Sequence, residues 1–103
     1  MTLSVLIVED IRFTRAALAR ILRGIVSCTI HEAATGKTAI ETLRDLGHID
    51  LIIADVKMTE MTGLELLKFV RSGEAFIPYD TPFMLVSGAM TKDIHNTAEK
   101  LDV

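Results

Sequence analysis

Two short apolar runs that end in acidic residues constrain the fold of this chain more than any other feature. The first run, Leu3–Val8, is followed by Glu9 and Asp10. The second run, residues 51–54, is followed by Asp55. Neither run alternates between apolar and polar residues, so both predict strands that are buried on two faces. Strands of this kind belong to parallel sheets with helices on both sides.

Two further segments complete the predicted sheet. Phe83–Val86 is a third apolar run and is followed by Ser87. Residues 28–34 include polar side chains such as Thr29 and His31, and this mixture predicts an edge strand.

The segment after the first strand has the spacing of an amphipathic helix that ends near Gly24. The residues predicted to face the core are Ile11, Thr14, Leu18, Ile21, Leu22 and Ile25. The residues predicted on the opposite side are Arg12, Arg15 and Arg23.

Three more helices are predicted farther along the chain. One runs from about residue 37 to 46, with Ile40 and Leu43 inward and a glycine stop after it. Another runs over Gly63–Arg71, and its inward residues are Leu66, Leu67 and Val70. The last begins near Thr91.

The predicted order is therefore β-α-β-α-β-α-β-α, within a length of 103 residues that suits one domain. Alternation of this kind indicates an α/β protein with a parallel sheet and right-handed crossovers. The irregular residues 72–82, which include two prolines, are predicted to form a surface loop.

Composition excludes several classes of function. Acidic residues outnumber basic ones, 14 to 11, and there is one Tyr and no Trp, which argues against a nucleic-acid partner. The only cysteine, Cys28, excludes an internal disulfide and a cysteine-based zinc site. No basic segment precedes the first apolar run, and no run approaches the ~18 residues of a membrane span. We therefore expect a cytoplasmic protein with no membrane partner.

Polar side chains follow three of the predicted strands at the end where parallel sheets bind ligands. Glu9 and Asp10 follow the first strand, Asp55 the third and Ser87 the fourth. If the first and third strands are neighbours, these side chains converge. Clustered carboxylates need a cation, and their hard oxygen ligands suit Mg²⁺. The alternative is that Asp10 caps the first helix while the other acids are solvated, but their coincidence at these strand ends favours a site.

Three segments of the sequence resemble the receiver domains of response regulators. They are VLIVED at residues 5–10, DVKMTEMTGLELL at residues 55–67 and VSGA at residues 86–89. They occur in the order and spacing of that family, and single-domain chemotaxis regulators are the most similar subgroup. The resemblance implies a flavodoxin-like, doubly wound parallel sheet.

The resemblance also implies a role for each residue of the cluster. Asp55 would accept a phosphoryl group from a histidine kinase or a phosphotransfer protein, and Ser87 would bond the phosphoryl oxygens. Asp10, Asp55 and the backbone carbonyl of Lys57 would bind Mg²⁺ or Mn²⁺, with Glu9 acting through water. The Lys57 side chain would either modulate dephosphorylation or remain in solvent. No enzymatic activity is implied beyond the chain's own phosphoryl transfer and slow dephosphorylation.

The sequence does not fit two other classes of protein that handle phosphate groups. A haloacid-dehalogenase-like phosphatase needs a second Asp two residues after its nucleophile, and Lys57 occupies that position. In a flavodoxin-like flavin site, Glu9 and Asp10 would repel the flavin phosphate.

The sequence also departs from the family pattern. Family members continue into a fifth strand and a fifth helix, so the expected strand order here is 2-1-3-4 and the receiver domain, residues 1–103, is expected to be short at its C-terminus. The Lys that normally follows the fifth strand is missing with them, and we expect slower phosphorylation. We also expect the fourth strand to be an edge and Ile7, Ile53 or their neighbours to be partly exposed. Homodimer formation, exchange of an element with a second copy, or docking on a partner would cover them.

Two hypotheses of function remain open. One is a two-component signalling switch that is phosphorylated on Asp55 and changes its affinity for an unidentified downstream protein. The other is a receiver-like module for interaction or dimerisation that works without phosphorylation. The retained acids favour the first, and the missing Lys favours the second. The arginines of the first helix either help to recognise the phosphoryl donor or form a solvated face with no binding role.

Overall fold

The computed structural model describes residues 2–58 and 60–86. Within these ranges strands and helices alternate along the chain in the order β1 Leu3–Val8, α1 Arg12–Arg23, β2 Cys28–Ala33, α2 Gly36–Leu46, β3 Leu51–Asp55, α3 Gly63–Arg71 and β4 Phe83–Val86. The helix predicted from Thr91 lies outside the described residues. No helix in the described ranges has both the length and the apolar character that a membrane span requires.

The four strands form one parallel sheet with the order β2-β1-β3-β4, as predicted. β1 is central and pairs with β2 on one side and β3 on the other. Val8, the last residue of β1, lies opposite Ala54 of β3. The carboxyl ends of these two strands are therefore adjacent, and the residues that follow them share one edge of the sheet.

The interior of the sheet explains why β1 shows no alternation in its sequence. Leu6 and Val8 belong to an apolar cluster with α2 and α3 on one face. Val5 and Ile7 belong to a second cluster with α1 on the other face. All four side chains are fully buried, so both faces of this strand exclude water.

Helices α2 and α3 follow the sequence prediction closely, because their ends carry local stop and start signals. Thr35 accepts a hydrogen bond from the Thr38 amide at the start of α2, and Gly47 ends α2 in the left-handed conformation. Thr62 and Glu65 form a reciprocal capping box at the start of α3. The residues predicted to face inward are buried, with Ile40 partly so: Ile40, Leu43, Leu66, Leu67 and Val70.

The predicted inner face of α1 was wrong in part. Ile11, Ile21 and Ile25 are 57%, 61% and 71% exposed. Helix α1 instead packs through Ala19, with Leu18 and Leu22 beside it. The apolar side chains of α1 span a wider arc than its contact with the sheet covers, and the sequence pattern alone does not reveal which part of the arc meets the sheet.

The predicted partial exposure was wrong for Ile7 and Ile53 themselves, although a neighbour of Ile53 is exposed. Ile7 and Ile53 are both buried, in the cluster that contains Ala19. Exposure occurs one strand farther out, at Met84, which is 49% exposed and lies opposite Ile53. Among the described residues β4 pairs only with β3, so it is an edge strand there, as predicted.

The connection from α3 to β4 is the irregular surface loop that the prolines predicted. Ala75 and Ile77 are buried and attach it to the core, while Phe76 and Tyr79 are exposed. Arg71, at the end of α3, donates hydrogen bonds to backbone carbonyls of this loop. The loop is therefore held against the domain.

A close backbone approach at Gly63 generates a prediction about stability. The Gly63 amide donates to the carbonyl of Val56, and a Cβ at Gly63 would overlap the Asp55 carbonyl group, coming within 2.8 Å of its carbon. We expect Gly63→Ala to lower the free energy of unfolding by about 1–3 kcal/mol, because the backbone after β3 must shift. Urea unfolding monitored by circular dichroism measures this.

Gly24→Ala is the matched control for that substitution. Gly24 has right-handed helical angles, and a Cβ there would make only ordinary contacts. Gly24→Ala should leave the free energy of unfolding unchanged or slightly higher. Equal unfolding midpoints for the two variants would contradict the prediction.

Candidate functional site

Three carboxylates converge at the carboxyl edge of the sheet. Glu9, Asp10 and Asp55 each offer an oxygen atom, and these atoms all lie within 4.8 Å of one another. The pairing of β1 with β3 produces this arrangement, because Glu9 and Asp10 follow β1 and Asp55 ends β3. The predicted convergence of these three acids is confirmed. The fourth predicted member, Ser87, lies outside the described residues.

Glu9 is the buried member of the cluster, with 2% of its surface exposed. Its amide donates to the Ala33 carbonyl at 3.0 Å, which extends the pairing of β1 with β2 by one residue. Its carboxylate Oε1 accepts a hydrogen bond from the Ile11 amide at 3.1 Å. The side chain is therefore fixed in place by the start of α1.

The pKa of Glu9 is raised to about 7, from an ordinary value of 4.5, and burial of the carboxylate is the largest cause. Hydrogen bonding to Asp55 and repulsion by its charge contribute to that rise, and the Ile11 amide opposes it. Burial and the neighbouring Asp55 carboxylate therefore both disfavour the charged form of Glu9. A proton or a cation relieves the repulsion.

Asp10 does not cap α1, so the alternative explanation of that residue was wrong. The N-cap position is Ile11, which has extended backbone angles and no side-chain cap. The first turn of α1 contains no acidic residue either. Asp10 is half-buried, and its carboxylate belongs to the three-acid cluster.

Asp55 is the last residue of β3, one residue beyond the predicted end of that strand, and is half-buried. Its carboxylate Oδ1 accepts a hydrogen bond from the Lys57 amide at 3.2 Å. The Val56 amide donates to the Val86 carbonyl, which holds the next peptide beside β4. The Lys57 residue is exposed, whereas Met58 packs into the core.

Sequence reasoning missed the contribution of Arg15. That residue was predicted on the outer, solvated side of α1, but its side chain is only 17% exposed. Its Nη1 donates to the backbone carbonyl of Glu9 at 2.8 Å, and its Nε donates to Glu32 on β2 at 2.9 Å. The signal that could have identified it is Glu32, an acidic residue in the predicted edge strand near the carboxyl ends.

The donor set of the cluster fits a hard divalent cation. It consists of carboxylate oxygens alone, with no nitrogen or sulfur ligand among the three residues. Mg²⁺ typically takes one or two protein carboxylates and keeps several waters. Two half-buried carboxylates beside a buried third one suit that manner of binding.

Comparison with known proteins shows the family of this chain and agrees with its fold. The model of the response regulator receiver domain matches residues 5–103, and the chain belongs to this family. Chemotaxis protein CheY of Pseudomonas aeruginosa is 31% identical over 91 residues, which cover 88% of this chain and 71% of that protein. The structure of chemotaxis protein CheY4 of Vibrio cholerae aligns with a TM-score of 0.84 at 24% identity, covering all of this chain and 82% of that one; it shows the shared fold.

Longer relatives match over a small part of their length. Cyclic di-GMP phosphodiesterase RocR of Pseudomonas aeruginosa is 41% identical over 66 residues, 64% of this chain and 17% of that protein. Sensor kinase CckA of Brucella abortus is 38% identical over 86 residues, 82% of this chain and 9% of that protein. The chain therefore spans less than a fifth of these two relatives.

The raised pKa of Glu9 predicts how stability depends on pH in a chelator-treated sample. A carboxyl whose pKa is higher in the folded state than in the unfolded state contributes stability below about pH 4.5, and this contribution is lost as the pH rises through about 7. We expect Glu9→Gln, which stays neutral, to raise the free energy of unfolding at pH 8 by on the order of 2 kcal/mol. Near pH 4.5 the variant and the unmodified chain should be similar.

Urea unfolding at a series of pH values in EDTA measures this difference. Glu60→Gln removes the same charge at an exposed position. The difference in the free energy of unfolding between this variant and the unmodified chain should not depend on pH. If Glu9→Gln were less stable than the unmodified chain at pH 8, the charge of Glu9 would not be the cause of strain in the site.

Proposed function

We propose that this chain is a two-component signalling switch, one receiver unit over residues 1–103, that is phosphorylated on Asp55 with the help of Mg²⁺. The observation that carries the proposal is the three-acid cluster within 4.8 Å. A sheet edge gains nothing in stability from close like charges, and both burial and the nearby Asp55 raise the pKa of Glu9. A bound cation and an incoming phosphoryl group give the cluster a use.

Asp55 suits the acceptor role better than Glu9 does. It is half-buried, whereas Glu9 is enclosed and bonded to the Ile11 amide. One Asp55 oxygen forms the new P–O bond as the bond between phosphorus and the donor's imidazole nitrogen breaks, and the nitrogen keeps that electron pair. The product is an aspartyl phosphate. We assign the hydroxyl that bonds the phosphoryl oxygens to Ser87 from the family resemblance.

The metal would be held by Asp10, Asp55 and the backbone carbonyl of Lys57, with Glu9 acting through water. When bound, Mg²⁺ supplies positive charge that offsets the charge on the phosphoryl oxygens and the carboxylates. The chain itself positions the acceptor. Its backbone hydrogen bonds, from the Lys57 amide to Asp55 and from the Val56 amide to Val86, fix the carboxylate in front of the site.

The donor in this proposal is a histidine kinase or a phosphotransfer protein, and the output is altered binding of a downstream protein in the cytoplasm. Helix α1 supports the docking of a donor beside the site, because it contains four arginines and no acidic residue. Three of them, Arg12, Arg20 and Arg23, are exposed. The chemistry in this proposal is confined to the chain's own phosphoryl transfer and slow dephosphorylation.

Metal binding is the first test of the proposal. We expect Mg²⁺ and Mn²⁺ to bind weakly, as in sites with few carboxylates and several waters. Asp10→Ala and Asp55→Ala should each abolish binding in isothermal titration calorimetry. Asp45→Ala, which removes an exposed acid at the end of α2, is the matched control and should bind as before. Unchanged binding in the Asp10 and Asp55 variants would show that the metal binds elsewhere.

Phosphorylation is the second test. Incubation with Mg²⁺ and acetyl phosphate should add one phosphoryl group, which borohydride reduction and mass mapping should locate at Asp55. Asp55→Asn should prevent the addition. Beryllium fluoride should change the NMR spectrum of the unmodified chain but not that of Asp55→Asn. A trapped product at another residue, or equal labelling of Asp55→Asn, would refute the assignment.

A second candidate function, interaction without phosphorylation, is favoured by one specific observation. Exposed apolar side chains lie on α1, just after it, and on β4, an outer strand of the described sheet: Phe13 and Ile21 on α1, Ile25 after it, and Met84 on β4. Large apolar side chains in solvent indicate a surface that another protein covers, and an apolar edge strand promotes pairing. This candidate requires no metal and no acceptor.

The second candidate predicts self-association. We expect light scattering at micromolar concentration to show dimers or an exchange of elements between two copies. Met84→Lys should shift the chain toward the monomer, because a lysine on an edge strand opposes pairing. Tyr79→Lys, at another exposed position outside the strands, is the control and should not. A monodisperse monomer with a cooperative thermal transition would contradict this prediction.

A further inference from the structure

Arg15 joins three elements at the back of the acidic cluster. It extends from α1, donates through Nη1 to the backbone carbonyl of Glu9 after β1, and donates through Nε to Glu32 on β2. With 17% of its side chain exposed, it is the arginine of α1 that the fold encloses, whereas Arg12 and Arg23 on the same helix are exposed. Its planar group engages both partners at fixed angles, which a lysine cannot reproduce.

The bonded carbonyl belongs to the peptide that joins Glu9 to Asp10. The other attachments of Glu9 lie on its amide, which bonds Ala33, and on its side chain, which accepts from Ile11. The hydrogen bond from Arg15 therefore fixes the plane of the peptide from which Asp10 departs. Helix α1 has no side-chain cap that could hold this turn instead.

We propose that Arg15 is a positioning residue for the metal site, holding the Glu9–Asp10 peptide so that the Asp10 carboxylate faces Asp55. This inference rests on the proposed function, since it concerns the affinity of the same site for Mg²⁺. Glu32 holds the guanidinium in place from β2. Residues that orient ligands in this way typically change metal affinity ~10–100-fold when they are removed.

Charge and positioning predict opposite results for removal of Arg15. A cation close to the cluster repels Mg²⁺, so loss of its charge alone would tighten binding. Loss of positioning would weaken binding instead. The direction of the change therefore separates the two roles, and a purely structural role would lower stability without changing the affinity of the folded protein.

The test compares Arg15→Met, Arg15→Lys, Glu32→Gln and the control Arg12→Met. Isothermal titration calorimetry measures the Kd for Mg²⁺, and urea unfolding in EDTA shows the fraction folded under the same conditions. We expect Arg15→Met to weaken Mg²⁺ binding ~10-fold or more, with only partial recovery in Arg15→Lys. Glu32→Gln should weaken it less, because its amide oxygen still accepts a hydrogen bond. Arg12→Met should leave the Kd within about twofold, because its charge is solvated and screened.

The remaining outcomes overturn the inference in different ways. Unchanged or tighter binding in a folded Arg15→Met, or in Arg15→Lys if the Met variant does not fold, refutes the positioning role alone. Equal weakening in Arg12→Met would assign the effect to the charge of the helix as a whole. If the unmodified chain binds no Mg²⁺, the proposed function fails and this inference fails with it.

Discussion

The parallel pairing of β1 with β3 is the constraint on which the rest of the molecule depends. It places the end of β1 beside the end of β3, and three carboxylates must then share a volume in which their oxygen atoms lie within 4.8 Å. Glu9 is buried, and its burial together with the nearby Asp55 raises its pKa, while a hydrogen bond from the Ile11 amide favours the charged form. The apolar core stabilises the sheet strongly enough to keep charges where they destabilise it.

Backbone contacts make the geometry around Asp55 rigid, while its side chain remains accessible. The peptide after Asp55 is held beside β4 by the hydrogen bond between Val56 and Val86. At Gly63 the start of α3 approaches so closely that no side chain fits. Capping of α3 by Thr62 then sets the direction of the helix. Asp55 is thus connected to β4 and α3 through main-chain atoms, which move less freely than side chains.

Much of the fold could be predicted from the sequence because the deciding signals were local. Largely apolar runs identified Leu3–Val8 and Phe83–Val86 at their observed bounds. The glycine after α2 gave the end of that helix for the same reason. The acids were recognised as a group because parallel strands end at one edge, a rule of topology that needs no coordinates.

What escaped prediction was the direction in which the side chains of α1 point. The spacing of its apolar residues is compatible with several rotations of the helix about its own axis. The observed rotation packs Ala19 against the sheet, leaves Ile21 in solvent and turns Arg15 inward. Partners such as Glu32 come from a strand distant in sequence, so no local pattern reveals them.

The rotation of α1 gives its arginines two different environments. Arg15 is enclosed and bonded to the main chain beside the acids, whereas Arg12 and Arg23 remain in solvent. Cations in solvent are screened and act mainly on approaching charged partners, but an enclosed cation acts on the geometry of its neighbours. A docked donor that shifts α1 would therefore also shift the carbonyl to which Arg15 is bonded. If the chain has the proposed function, this helix would connect recognition of the donor to the arrangement of the carboxylates around Asp55.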